Sequence, residues 1–400
     1  MNFPNSGDTH TCTIETLAYG GSGIARIDGR VVFVPETIPG ETVRVRITQK
    51  KKDFARGVVA EILEPSPNRI DPCCRVAENV SVPGCVYDHL TYPAEVQAKQ
   101  QQLESFFRRI PHAENAFLPP VASPASLHYR NKITLHTDGT HLGYRQEPQH
   151  RVLDIPACPL AHSAINDALA NFRASHRVGL GDNLMLRMTQ HNGVVWWTNQ
   201  GPCSPRCPER LTEQSPIGPL YFPRHGFYQV NPAVSDALVR FVMGAFAEDT
   251  SVPDILDLYC GVGVFGLACM KRGGRRLTGI ESSNATVITA RQNAKALGIR
   301  GRFIVYHLHR DPLCLNNWLT APRETTVIAD PPREGIDKPI VEALSTSRAA
   351  RIFYISCNPS TLTRDLAILL AGGKYRVSRI RLFDMFPRTA HFETFVELLA

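Results

Sequence analysis

A cysteine near the carboxyl end of the chain stands where it could act as a nucleophile. In RIFYISCNPSTLTRDL, the apolar run RIFYIS predicts a buried strand, which the Asn-Pro pair directly after Cys357 ends. The residues that follow predict a helix capped by Ser360 or Thr361. Most buried cysteines are simply apolar packing. Here the dipole of the helix amino terminus favours a thiolate, so the position favours a nucleophilic Cys357.

Glycines and an acidic residue upstream are typical of a site for a nucleotide cofactor. The stretch DLYCGVGVFGLACM places Gly261, Gly263 and Gly266 in a G-x-G-x-x-G pattern between a predicted strand and a predicted helix. Glu281 ends the next predicted strand, where a carboxylate can accept hydrogen bonds from both ribose hydroxyls. These two features predict an adenosyl cofactor, and NAD would satisfy them as well.

A proline-rich turn after another apolar run could hold two charged groups. In ADPPREGID, Pro331 and Pro332 form a rigid turn that can direct Asp330 and Arg333 towards a common crevice. The alternative is an ordinary proline-rich loop without a chemical role.

The elements that must position these residues alternate between strands and helices. Beyond Asn231-Pro232, which predicts a helix start, the apolar runs ILDLY, RRLTGI, RFIVY, TTVIA and RIFYIS are separated largely by helical segments. This pattern predicts a doubly wound α/β sheet over residues 231–400. Ligands bind beyond the carboxyl ends of the strands in such sheets, so all four motifs are expected at one crevice.

The pattern of the amino-terminal part predicts strands without helices. Five short Val/Ile-rich runs separated by GGSG, DGR and PGE turns predict an OB-type β-barrel over residues 1–64. The stretch RVRITQKKKDFAR adds six basic residues and Phe54, which on such a barrel favour single-stranded RNA binding over a merely solvated hairpin. Residues 65–230 predict a mixed α+β domain, including a helix whose apolar stripe is Val96, Leu103 and Phe106.

Composition excludes several classes of protein. The chain has 400 residues, 43% hydrophobic and 20% charged, with a net charge of +7, which indicates a globular protein with a modest preference for polyanions. No apolar run is long enough for a membrane span and the amino terminus does not resemble a signal peptide, so we expect a cytoplasmic protein. In a cytoplasmic protein, eleven cysteines indicate catalysis, metal binding or packing rather than disulfides.

Several of these blocks together resemble the RNA uracil-5-methyltransferase family. TIETLAYGGSGIAR and FVPETIPGETVRVRI are similar to its TRAM domain, and the family's catalytic blocks are similar, in order, to GFYQVNP, DLYCGVG, ADPPREGID, YISCNPSTLTRDL and MFPRTAHFETFVEL. The resemblance implies a Rossmann-like S-adenosylmethionine-dependent domain with Cys357 as nucleophile and Glu393 as base. It also implies a set of cofactor-binding residues, namely Gln229, Tyr259, Gly261, Gly263, Glu281 and Asp330.

The implied reaction is methylation of uridine carbon 5 in structured RNA by a monomer, with 23S rRNA favoured because of the TRAM-like barrel. A tRNA T-loop substrate is one alternative, and a non-catalytic RNA-binding protein is another. Methylation of a base amino group is disfavoured, because Arg333 stands where such enzymes place an aromatic residue after Asp-Pro-Pro.

Relatives often carry a 4Fe-4S cluster on C-x5-C-G-G-C plus a distant cysteine. Here Cys85 and Cys158 match two of these positions and Val82 replaces a third, while Cys73 and Cys74 lie upstream. The resemblance therefore implies an iron–sulfur or zinc site on Cys73, Cys74, Cys85 and Cys158, or else cysteines left in the core after loss of the cluster. Cys203 and Cys207 form a C-x3-C pair that lacks a second pair and is interpreted as non-ligating.

Overall fold

The structure is a computed structural model, and it describes residues 5–77, 80–146, 151–199, 201–205, 207–249, 253–308, 315–318, 325–347 and 349–400.

The amino-terminal region is a curled sheet of six strands. They are β1 (Thr9–Thr13), β2 (Thr16–Leu17), β3 (Gly23–Ile27), β4 (Arg30–Val34), β5 (Thr42–Lys50) and β6 (Phe54–Glu64), in the order β1-β5-β6-β4-β3-β2. Alternation decides which side chains enter its core: Val43, Val45 and Ile47 of β5 are buried, while Arg44 and Arg46 between them are exposed. The barrel predicted from sequence is confirmed, with six strands instead of five.

The central region joins a long helix to an antiparallel sheet. Its elements are β7 (Arg75–Ala77), β8 (Val80–Ser81), α1 (Tyr92–Phe107), a 3-10 turn (Ala113–Asn115), β9 (Lys132–Thr137), β10 (Leu142–Gln146), β11 (Arg151–Asp154), α2 (Ser163–Ser175), β12 (Asn183–Thr189), β13 (Gly193–Thr198), β14 (Arg210–Ser215) and β15 (Gly218–Pro223). Five strands form the sheet β11-β10-β9-β12-β13, and β14 pairs with β15. In α1, Val96 and Leu103 are buried as predicted, but Phe107 replaces the predicted Phe106, which is only half-buried.

The carboxyl-terminal region is the doubly wound α/β sheet expected from the sequence. Its elements are α3 (Pro232–Ala247), β16 (Asp254–Leu258), α4 (Val264–Met270), β17 (Leu277–Glu281), α5 (Asn284–Ala296), β18 (Arg302–Val305), α6 (Leu315–Trp318), β19 (Thr325–Ala329), α7 (Lys338–Thr346), β20 (Arg351–Ser356), α8 (Pro359–Ala371), β21 (Arg376–Phe383) and β22 (Glu393–Leu399). As predicted, Asn231 caps α3, its side chain accepting a hydrogen bond from the Val234 amide.

The strand order of this sheet is β18-β17-β16-β19-β20-β22-β21. The first five strands are mutually parallel, whereas β22 runs antiparallel to both β20 and β21. β16, β19 and β20 are buried along their whole lengths, because helices cover both faces of the central strands. Across the described residues, no helix has the length and apolar content that a bilayer-spanning segment needs.

Candidate active site

The predicted chemical residues lie where the sheet brings its strand ends together. Glu281 ends β17, Asp330 directly follows β19 and Cys357 directly follows β20, while the glycine loop follows β16. Because these strands are parallel neighbours, their carboxyl ends meet along one edge of the sheet.

The loop between β16 and α4 has a backbone that few side chains tolerate. Tyr259, Gly261 and Gly263 have φ values of 58°, 54° and 90°, in the left-handed region that glycine adopts most easily. A side chain at Gly261 would meet no atom within 4 Å, so open space lies beside this turn. Gly266 is different, because a Cβ there would lie 2.7 Å from an oxygen of Asp257. The glycine pattern thus combines an accessible loop with close packing of α4 on the sheet.

Three carboxyl groups line this end of the sheet. Glu281 accepts hydrogen bonds from the amides of Gly261, at 3.2 Å, and Ser283, at 2.9 Å. Asp257 is buried and accepts from the Gly266 amide at 2.9 Å; burial, together with the charges of Asp330 and Glu281, raises its pKa to about 8 although the Gly266 hydrogen bond lowers it. Burial also raises the pKa of Asp330 to about 7. A cationic ligand would stabilise the ionised forms of these acids, which indicates a site for a positive group.

Gln229 and Tyr259 are the remaining predicted cofactor residues. Gln229 lies just before α3, and its side-chain oxygen is buried without a hydrogen-bond partner among the described residues. Such an orphan acceptor is suited to a ligand's N–H or O–H donor. Tyr259 follows β16, but its phenol faces Asp337, and burial followed by the charges of Asp337 and Asp365 raises its pKa. The structure therefore brings Glu281 and Asp330 to the glycine loop, whereas the Tyr259 phenol is directed towards the start of α7.

Cys357 and Glu393 are brought together by the antiparallel pairing of β20 with β22. In this register Ser356 is opposite Thr394, so Cys357, one residue beyond the end of β20, lies beside Glu393, the first residue of β22. Cys357 is half-buried and Glu393 is buried, with one carboxyl oxygen unpartnered in the described part of the chain. A thiol and a carboxyl group therefore share the crevice.

The protonation of Cys357 differs from the sequence-based expectation. Burial, followed by the charge of Glu393, raises its pKa to about 12, although the charge of Arg333 lowers it. Desolvation and a neighbouring acid thus outweigh the helix dipole that was expected to favour the thiolate. Burial likewise raises the pKa of Glu393 well above its usual value, with Asp330 adding to the shift and Arg333 opposing it.

The predicted cap of α8 was also wrong. Asn358 is the cap, its side-chain oxygen accepting from the Ser360 amide at 3.1 Å. Its amide nitrogen donates to the Arg333 carbonyl at 3.0 Å, and the Thr361 hydroxyl donates to the same oxygen at 3.2 Å. The start of α8 therefore holds the loop after β19 beside Cys357, and Thr361 serves that contact rather than the cap.

The four cysteines predicted to hold a cluster are close together but do not form a metal site. The thiols of Cys73, Cys74 and Cys85 form a chain of contacts. The hydrogen bond with Cys74, followed by burial, raises the pKa of Cys73. The hydrogen bond with Cys73 lowers the pKa of Cys74, but the hydrogen bond with Cys85 and burial raise it overall. Cys158 instead accepts a hydrogen bond from the Tyr144 hydroxyl at 3.4 Å. Among the described residues, no three His, Cys, Asp or Glu side chains are arranged to hold a metal ion. The prediction of a 4Fe-4S or zinc site is therefore not supported, and these thiols pack in or against one apolar cluster.

Sequence reasoning missed two residues of this region. Asp257 could have been noticed as an acid inside the apolar run ILDLY, since acids are rarely buried without a purpose. His391 lies two residues before Glu393, and burial, followed by the charge of Arg333, lowers its pKa to about 4. No local pattern distinguishes His391, because its environment comes from distant segments.

Comparison with known proteins places the chain among RNA-modifying enzymes. Family profiles match residues 5–60 as "TRAM domain", 239–351 as "Conserved hypothetical protein 95" and 316–400 as "tRNA (Uracil-5-)-methyltransferase". The chain is 32% identical to the 23S rRNA (uracil(1939)-C(5))-methyltransferase RlmD of Methylococcus capsulatus, over 95% of each chain. It is 29% identical to the tRNA (uracil(54)-C(5))-methyltransferase of Schizosaccharomyces pombe, over 96% of this chain and 77% of the other.

The fold also matches a solved structure over its whole length. The tRNA (uracil-54, C5)-methyltransferase of Pyrococcus abyssi, solved in complex with S-adenosyl-L-homocysteine, superposes with a TM-score of 0.73. The match covers 97% of this chain and 99% of the archaeal one at 24% sequence identity.

Proposed function

This chain belongs to the family of RNA uracil-C5-methyltransferases, and we propose that it transfers a methyl group from S-adenosylmethionine to a uridine through a transient bond between Cys357 and carbon 6 of the base. The observation that carries the mechanism is the pairing of β20 with β22, which sets a thiol beside a buried carboxyl group at the edge where the glycine loop opens. Either group alone would have an ordinary structural explanation.

The proposed reaction uses the two groups in turn. Cys357 first gives its proton to solvent; the thiolate sulfur then bonds to carbon 6, and the electron pair of the 5,6 double bond passes into an enolate. S-adenosylmethionine, when bound, would supply an electrophilic methyl group to carbon 5 and would leave as S-adenosylhomocysteine. The Glu393 carboxylate then removes the proton from carbon 5, and the carbon–sulfur bond breaks, which restores the double bond and releases Cys357. The raised pKa of Glu393 suits it to accept that proton.

We propose that Arg333 favours deprotonation of Cys357 to the thiolate. Its charge lowers the pKa values of both Cys357 and Glu393, and its backbone is held by Asn358 and Thr361. Because its side chain is exposed, it can also contact a bound RNA. We assign Arg333 to stabilising negative charge on sulfur and on the enolate.

For the cofactor we propose Gln229, Tyr259, Gly261, Gly263, Glu281 and Asp330. Three features support the members other than Tyr259: the open space at Gly261, the orphan buried oxygen of Gln229, and the acids that would attract a sulfonium cation. Tyr259 is proposed for its place in the loop, since its phenol is directed towards the start of α7. Glu281 already accepts from the Gly261 amide, so ribose hydroxyls would share a carboxylate that the loop holds in place.

For the substrate we propose 23S rRNA. The amino-terminal barrel supports an RNA substrate, because its β5–β6 hairpin exposes Arg44, Arg46, Lys50, Lys51, Lys52 and Arg56. The choice of 23S rRNA is supported by the relative named as a 23S rRNA enzyme. A tRNA T-loop is the second candidate, because a relative named as a tRNA enzyme matches nearly the whole chain.

The test is transfer of labelled methyl groups from S-adenosylmethionine to purified 23S rRNA and tRNA. We expect Cys357→Ala to abolish transfer and to abolish the stable adduct with RNA containing 5-fluorouridine, which lacks the proton that Glu393 would remove. Cys203→Ala is the matched control, because Cys203 is exposed and lies outside the crevice. Full turnover by Cys357→Ala would refute the covalent mechanism, and transfer to tRNA alone would refute the choice of RNA.

A further inference from the structure

A residue of the amino-terminal barrel reaches the crevice that holds Cys357 and Glu393. Tyr19 lies in the turn between β2 and β3, and its ring is edge-on to Phe392, with centroids 6.0 Å apart. Phe392 is the residue directly before Glu393. The Tyr19 hydroxyl is 3.5 Å from Nδ1 of His391, although the two residues are 372 positions apart in the chain. The barrel therefore contributes a side chain to the catalytic end of the sheet.

The turn that carries Tyr19 is held firmly on both sides. The Ala18 amide donates to the Ser22 carbonyl at 2.8 Å, which closes the turn. Gln102 of α1 donates to the Ala18 carbonyl at 3.1 Å. Gly21 has a φ of 92° and packs so closely on Val86 that a Cβ would lie 2.6 Å from it. A turn fixed in this way can hold a side chain at a defined place in a second domain.

Electrostatic contacts place the Tyr19 hydroxyl within range of the reacting groups. Burial raises its pKa, the charges of Cys357 and Glu393 raise it further, and that of Arg333 lowers it. The hydroxyl is therefore protonated at neutral pH and can donate a hydrogen bond. A neutral donor within electrostatic range of a nucleophilic sulfur suits a carbonyl oxygen that gains negative charge when sulfur adds to the ring.

Space for an RNA strand lies beside the same residue. A cleft of about 1000 Å³ between the barrel and α1 is lined by Tyr19 together with Phe106, Gln101 and Arg108, and also by the acidic residues Glu104 and Glu114. The Tyr19 ring packs edge-on against Phe106, with centroids 5.4 Å apart. Tyr19 therefore separates the catalytic crevice from a groove whose aromatic and amide side chains suit contacts with unpaired bases, whereas its charged groups are of both signs.

We propose that Tyr19 positions the target base, with its ring as a wall of the uracil pocket and its hydroxyl as a donor to a uracil carbonyl oxygen. This inference rests on the proposed function, since it requires uracil in the crevice. It gives the barrel a direct part in positioning the substrate in addition to general RNA binding.

The test compares Tyr19→Phe, which keeps the ring, with Tyr19→Ala, which removes it. We expect the single-turnover rate of adduct formation at saturating 5-fluorouridine RNA to fall about tenfold for Tyr19→Phe, the effect of one hydrogen bond. For Tyr19→Ala, which also loses the ring contact, we expect a fall of about 100-fold. The dissociation constant for S-adenosylhomocysteine should stay unchanged in both variants.

Tyr375→Phe is the matched control, because the Tyr375 hydroxyl bonds the Ala349 carbonyl near the start of β20, at the opposite edge of the sheet. This control should form the adduct at the wild-type rate. If wild-type protein forms no adduct, the proposed function fails whatever Tyr19 does. If both Tyr19 variants form the adduct at the wild-type rate at saturating RNA, Tyr19 is only a packing residue and the inference is overturned. This holds even if the melting temperature or the RNA affinity of the variants has fallen.

Discussion

Cys357 and Glu393 have opposite needs in the proposed reaction, since the thiol must lose a proton and the carboxylate must later gain one. Burial raises the pKa of both, which favours Glu393 as a proton acceptor and disfavours the Cys357 thiolate. The charge of Arg333 lowers both values. At the scale of residues, reactivity therefore depends on a balance between desolvation and one nearby cation.

Replacing Arg333 with methionine tests this balance. Removing a positive charge raises the pKa of Cys357, so a smaller fraction is thiolate at any given pH. Because Arg333 is exposed, we expect the rising limb of adduct formation to move to higher pH by about one unit or less, with an about three- to tenfold loss of rate near pH 7. The measurement is the pH dependence of the single-turnover adduct rate.

The control for Arg333→Met is Arg275→Met. Arg275 pairs with Asp254 at the start of β16, on the opposite edge of the sheet from the crevice. This variant removes the same charge from the same domain and should leave the pH profile in place. A profile for Arg333→Met that coincides with the wild type would show that Arg333 does not influence the thiol.

At the scale of elements, the crevice depends on how closely α4 packs against β16 and β17. The contact is made possible by Gly266, whose amide donates to Asp257 while its missing side chain leaves room for Leu277. The same helix begins directly after the loop of Tyr259, Gly261 and Gly263. Packing of the helix and the shape of the cofactor loop are therefore linked.

Gly266→Ala should disturb both the packing of α4 and the shape of the cofactor loop. A Cβ would lie 2.7 Å from an Asp257 oxygen and from a Leu277 methyl group, so either these buried side chains or α4 must shift. We expect a loss of about 1–3 kcal/mol in the free energy of unfolding, and weaker binding of S-adenosylhomocysteine. Denaturant unfolding and calorimetry measure the two effects.

Gly244→Ala provides the matched substitution. Gly244 is exposed within α3, and a Cβ there meets no atom within 4 Å. The change should leave cofactor binding unaltered and stabilise the protein by about 0.5–1 kcal/mol, because alanine favours the helix. Equal effects of the two alanines would contradict the role given to close packing at Gly266.

At the scale of the whole molecule, a buried ionic cluster joins α1 to the loop that leads to Glu393. Lys99 is fully buried and donates to Glu95 at 2.8 Å, to Asp384 at 2.7 Å and to the Phe386 carbonyl at 3.2 Å. Arg388 pairs with Glu95 in the same cluster. The central region thereby holds the segment between β21 and β22, on which the positions of His391 and Glu393 depend.

Lys99→Met should be strongly destabilising. It leaves the buried carboxyl groups of Glu95 and Asp384 without their shared cation, which costs about 3–5 kcal/mol in the free energy of unfolding. We also expect a lower kcat in the folded protein, since the loop before Glu393 loses an anchor. Lys338→Met is the control, because Lys338 and Glu342 form an exposed pair worth less than about 1 kcal/mol. A stability equal to that of this control would contradict the anchoring role.

Much of the fold follows from local patterns in the sequence. Asn231-Pro232 predicts the start of α3 correctly, and the apolar runs predict β16 to β20, because capping and burial depend on residues that are close in the chain. Parallel strands then require that Glu281, Asp330 and Cys357 meet at one edge. The position of Cys357 between a strand end and a helix start identified it as a candidate nucleophile, and the resemblance to a known family identified Glu393 as a candidate base.

Tertiary structure decided the electrostatics of the site and which side chains contact one another there. The Cys357 pKa is raised because β22 brings Glu393 beside it and the surrounding protein excludes water, and neither effect is visible in the residues next to the thiol. Packing likewise produces the contacts among Cys73, Cys74 and Cys85 and the contact between Tyr19 and His391. Sequence periodicity determines which elements form, whereas charge, desolvation and shared sites depend on distances between segments remote in the chain, which only the folded molecule defines.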